Sequence, residues 1–93
     1  PLDHPTDELV LQVPTWALQE GDRVTLRCRA RRDTSVTQVR FYHEGKELRG
    51  PLKGTELSLS PLGLHHGGRY HCGGKVGIWS VWKESAPVTV TVH

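Results

Sequence analysis

The sequence contains no asparagine, so it offers no N-glycosylation acceptor. It has no apolar run long enough to cross a bilayer, and no leader-type segment stands at its head. For a domain of secreted type this reads as a mature piece, with its leader and any membrane anchor lying outside it. Cysteine is scarce as well: Cys28 and Cys72 stand alone, 44 residues apart. Zinc sites need close pairs such as C-x-x-C, which this spacing does not supply. The simple reading is a disulfide, and therefore an oxidising compartment. Two free buried thiols in a cytosolic protein are the alternative. Strong charge of one sign is also missing. A net charge of +2 does not demand nucleic acid as a partner.

What remains is a texture of short valine, leucine and threonine runs, broken by glycine and proline. That texture favours many short strands over helices. A chain of 93 residues makes one domain with a thin core, burying only about 60–65% of its unfolded surface. Residues 1–8 are polar and proline-rich and read as a linker; residues 9–93 read as the domain. Arg23–Arg29 alternates, with Val24, Leu26 and Cys28 on one side and arginine or threonine on the other, as in a half-buried strand. Thr37–His43 alternates again, with Val39 and Phe41 inward. Leu9–Val13, Glu56–Leu59, Arg69–Gly74 and Pro87–Val92 complete the strand pattern. The segments 47–55 and 77–84 read as irregular chain and loop.

Tyr70 stands two residues before Cys72, the tyrosine-corner position, where a buried ring sends its hydroxyl to backbone just upstream. Leu64 is expected as the buried plug of the turn entering that strand. The fold class is therefore all-β: an immunoglobulin-like sandwich of about seven strands, with Cys28–Cys72 joining its sheets. Phe41 takes the place of the tryptophan usual on the third strand. His66 replaces the acidic residue usual six positions before the second cysteine.

Taken in order, LVLQV, EGDRVTLRCRA, TQVRFYHEGKEL, GRYHCGGKVG and APVTVTV resemble the second extracellular domain of Fc receptors and Fc receptor-like proteins, from Leu9 to Val92. The resemblance implies a cell-surface or secretory-pathway protein of immune cells. It implies neighbouring immunoglobulin-like domains in the same chain, a parent that is membrane-anchored in many members, and recognition of a protein ligand, immunoglobulin Fc or MHC-like. It places the ligand-contacting loops at 31–35, 49–55 and 77–82. The candidates there are Arg31, Arg32, Asp33, Lys53, Ile78, Trp79, Val81 and Trp82. In IgG receptors two tryptophans clamp a proline of the antibody; the matching positions here are Glu8 and Arg31, so that clamp cannot form. Leu9 and Trp16 are candidates for contact with a neighbouring domain.

Three other patterns each admit a plain structural reading. Arg27, Arg29, Arg31, Arg32 and Arg40 form a basic tract that suits a glycosaminoglycan or, more simply, a solvated sheet face. Trp79-Ser80-Val81-Trp82 has the W-x-x-W spacing of a C-mannosylation acceptor. His65, His66 and His71 are close in sequence, but no motif places a third ligand beside an adjacent pair, so no metal is expected. No cofactor is expected, and no serine, histidine or aspartate falls in a catalytic frame, which argues against an enzyme. A spacer domain within a longer ectodomain is the alternative to a ligand-binding module.

Overall fold

The computed structural model describes residues 9–14, 17–31 and 34–93. The linker segment 1–8, Trp16, Arg32 and Asp33 lie outside the described residues.

Alternation decides which residues enter the core. In β1 (Leu9–Gln12) Leu9 and Leu11 are buried, and in β3 (Val24–Ala30) Val24, Leu26 and Cys28 are. β6 (Glu56–Leu59) contributes Leu57. These three strands form an antiparallel sheet in the order β1-β3-β6. After Pro14 the chain changes layers. β2 (Ala17–Leu18) runs parallel to β9 (Val88–Val92) at one edge of a second sheet. That sheet continues through β7 (Gly68–Val76) and β4 (Val36–His43) to β5 (Lys46–Leu52), while β8 (Val81–Glu84) also pairs with β7.

The two layers close on Phe41, Val39, Tyr70 and the Cys28–Cys72 disulfide, all essentially inaccessible to solvent. Phe41 faces Cys72 directly across the β4–β7 ladder, so it supplies the aromatic mass expected beside the bridge. Fully burying such a side chain contributes about 1.5–3 kcal/mol. The Tyr70 hydroxyl donates to the His66 carbonyl, and its ring stacks on His43 at 4.3 Å. The tyrosine corner read from the sequence is therefore present.

Four expectations need correction. Leu64 is 61% exposed, and Leu62, at 2%, fills the core instead. The Leu62 amide donates to the Asp22 carbonyl and its own carbonyl accepts from Gly21, which pins it inward. The 3₁₀ turn Leu64–His66 then carries Leu64 outward. Leu9 is 1% exposed and belongs to this domain's own core, not to a contact with a neighbour. Residues 46–52 form a strand rather than irregular chain, paired with β4 through register shifts between Val39 and Tyr42. Residues 81–84 form a strand rather than a loop.

Opposite β4, the other edge of β7 is shared by two partners. Its first half pairs with β9, with Tyr70 opposite Val88, and its second half pairs with β8, with Gly73 opposite Glu84. Between them the register slips by one residue at Ser85-Ala86-Pro87, a bulge in the last strand. Pro87 has no N–H to give the ladder. Ser85 repairs the break: its amide donates to the Cys72 carbonyl at 2.8 Å, and its hydroxyl accepts the Cys72 amide at 2.9 Å. The amide and carbonyl of Cys72 thus both keep a partner.

Candidate ligand-binding loops

The ladders bring three connections to one end of the sandwich. β3 ends there at Ala30, β4 begins there at Val36 opposite Val76, and β5 arrives there at Leu52 opposite Val39. The strand ends at Ala30, Val36, Leu52 and Val76 are therefore neighbours. The Gly77 amide donates to the Ser35 carbonyl at 3.0 Å, tying the third connection to the first.

The third connection is a tight hairpin. Val76 pairs with Val81, leaving Gly77-Ile78-Trp79-Ser80 as the loop, and the Ser80 amide closes it on the Gly77 carbonyl at 3.2 Å. Gly77 has φ +76° and Ser80 φ +51°, a left-handed conformation natural to glycine and strained for serine. This geometry pushes the intervening residues into solvent. Ile78 is 88% exposed and Trp79 83%.

Trp82 behaves differently. It lies on β8 at 39% exposure, against Gly73 on β7. A Cβ at Gly73 would sit 2.5 Å from Trp82 Cζ2, so the glycine is what lets the ring lie down. Its Nε1 donates to Glu84 Oε2 at 3.1 Å. Of the two loop tryptophans, Trp82 folds back on the sheet and Trp79 projects. Val81, beside the tip, is 46% exposed. Residue spacing allows one of the two rings to fold back but does not say which, because neither the hairpin pairing nor the role of Gly73 is visible in it.

Around the tip, Lys53 and Arg31 are exposed. Arg29, Arg31, Thr34, Val36 and Thr55 line a shallow, open, polar depression of about 520 Å³. The basic tract is smaller than its sequence suggests. Arg27 and Arg29 point outward from β3, but Arg27 stands opposite Glu56 in register. Arg40 is on the other sheet, bound to Glu47 at 2.7 Å. Near it, Tyr42 stacks on His71 at 4.5 Å. Burial, then the Glu47 charge, pushes the Tyr42 hydroxyl above its usual pKa. Those rings lie on the flat of the sheet, away from the tip.

His43, His65 and His66 occupy the opposite end. The Gly63 amide donates to His66 Nδ1 at 2.7 Å, and the His43 Nε2 and the Gly67 carbonyl lie 2.8 Å apart. Burial, then the charges of His65 and His43, lowers the His66 pKa below its ordinary 6.5. Among the described residues no group of three His, Cys, Asp or Glu is placed to hold a metal ion. No helix among them is long and apolar enough to cross a membrane.

Comparison with known proteins agrees with this architecture. The immunoglobulin domain family matches residues 8–92. Fc receptor-like A of Mus musculus is 44% identical over 91 residues, covering 94% of this chain and 25% of that protein. The low affinity immunoglobulin gamma Fc region receptor II of Bos taurus is 34% identical over 92 residues, covering 99% of this chain and 30% of that protein. The chain thus spans between a quarter and a third of these relatives. The crystal structure of the second Ig-C2 domain of human Fc receptor-like A superposes with a TM-score of 0.77 at 24% identity, covering 91% of this chain and 95% of that one.

Proposed function

Because the chain belongs to the immunoglobulin-domain family, on its Fc receptor and Fc receptor-like side, we propose that it is an extracellular receptor module. In this reading it engages a protein ligand through the loop end built around Trp79. The observation that carries the reading is a large aromatic ring held almost wholly in solvent by a short, closed hairpin on a stiff scaffold. Exposed tryptophan at a rigid tip is costly to solubility and well suited to an interface hot spot, since little ordering entropy remains to be lost on binding. Ile78 and Val81 give the tip an apolar centre, and Arg31 and Lys53 supply a basic rim.

In this reading the ligand is immunoglobulin Fc, the class named by the gamma Fc region receptors among the relatives, or the MHC-like protein that the sequence resemblance implies. The antibody mode that needs two facing tryptophans is disfavoured, because arginine occupies one clamp position and glutamate the other. Binding of multimerised Fc and MHC-like ectodomains to the domain tests the proposal. Trp79→Ala should weaken binding about tenfold or more, and Trp82→Ala should weaken it less. If every ligand that binds is indifferent to both changes, this end of the sandwich is not the site.

A further inference from the structure

We propose that Trp79 is a C-mannosylation acceptor, carrying one mannose on its indole Cδ1. The recognition pattern for this modification is two tryptophans separated by two residues, with the sugar placed on the first. Trp79-Ser80-Val81-Trp82 supplies it. The fold adds a second observation: it gives the two rings opposite fates. Trp79 is 83% exposed at the hairpin tip, so a hexose on its ring displaces nothing. Trp82 lies against Gly73 and holds Glu84, so a hexose there would lift the ring from the sheet. The buried Cys28–Cys72 bridge places folding in an oxidising compartment, the secretory lumen where lipid-linked mannose donors are available.

The chemistry balances without a redox partner. The co-substrate is a polyprenyl-phosphate mannose. A carbon–carbon bond forms between mannose C1 and indole Cδ1, and the Cδ1 proton leaves to a base. The sugar–phosphate bond breaks with its electron pair going to the lipid phosphate. The product tip keeps an aromatic face and gains four sugar hydroxyls, which would make this exposed apolar loop less prone to self-association. The inference rests on the secretory setting and on the loop geometry, and stands whether or not the same tip binds a ligand.

Peptide mass spectrometry tests it on protein secreted from animal cells that C-mannosylate a co-expressed W-x-x-W reporter. The expected result is a peptide spanning Trp79 and Trp82 heavier by one hexose. Fragment ions should place the added mass on Trp79, with cross-ring cleavage instead of loss of the intact sugar. Trp79→Phe should abolish the hexose. Trp82→Ala should abolish it too while Trp79 remains present, with secretion yield and circular dichroism reporting that the variant folds. An unmodified wild-type peptide beside a modified reporter overturns the proposal. So does a hexose on Trp82 alone, or one released intact from Ser80. None of these results bears on ligand affinity, so the two proposals fail separately.

Discussion

His66 stands at the third position of its 3₁₀ turn, where a glutamate or glutamine side chain would ordinarily reach back to the first free amide. It performs that task as a neutral ring, because Nδ1 must keep its lone pair to accept the Gly63 amide. Protonation removes the acceptor and brings a cation against His65 and His43. The Tyr70 hydroxyl, held by the His66 carbonyl, ties this turn to the core. The folded pKa is lowered below 6.5, so the unfolded chain takes up the proton first. The stability contribution is therefore intact above about pH 6.5 and is lost as the pH falls through the lowered folded value. Urea midpoints should fall between about pH 7 and about pH 5. His66→Gln, which keeps an acceptor and cannot charge, should flatten that slope. A variant with the full wild-type slope would show that another group drives it. The sequence shows His66 as a substitution for an acidic residue and as one of three histidines close in the chain; the use of its ring nitrogen depends on where Gly63 turns.

At the level of elements, strands with a buried face were legible and strands without one were not. β3 and β4 were readable because Val24, Leu26 and Cys28, then Val39 and Phe41, fall at every second residue. β5 and β8 are edge or outer strands whose side chains are almost all exposed or half-exposed, so no apolar alternation announces them. Leu62 and Leu64 were interchangeable on paper, since both flank a glycine before the tyrosine corner. Only the two backbone bonds from Leu62 to the 21–22 turn choose between them. The missed β8 bears directly on function, because it converts a long loop into a four-residue hairpin with a fixed tip. Gly77 is the pivot of that hairpin. A Cβ there would meet nothing within 4 Å, so any cost of substitution is conformational. Gly77→Val, forcing a β-branched residue to φ +76°, should lower stability by about 1–2 kcal/mol in denaturant titration. It should also weaken ligand binding without touching Trp79. Unchanged stability would mean the turn relaxes to another form.

Across the whole molecule, two sheets of short strands enclose a thin core fed by both inner faces, and the loops at one end inherit their positions from it. A domain of 93 residues has about 5–14 kcal/mol of net stability to work with. Tying strands 44 residues apart removes loop freedom from the unfolded chain worth roughly 4 kcal/mol. That is a large fraction of the total, and it acts between β3 and β7, one strand from each sheet. Cys28→Ala/Cys72→Ala should lose that contribution and also leave a small void beside Phe41. For a domain of this size the melting temperature should drop by on the order of 20 °C. Because both sulfurs are fully buried, a reductant reaches them only when the sheets part. The intact protein should therefore be reduced at the rate at which it unfolds, with added denaturant accelerating both together. Fast reduction of a still-folded domain would mean that the layers separate locally around the bridge. The tip at Trp79 would then sit on a looser platform than the closed core implies.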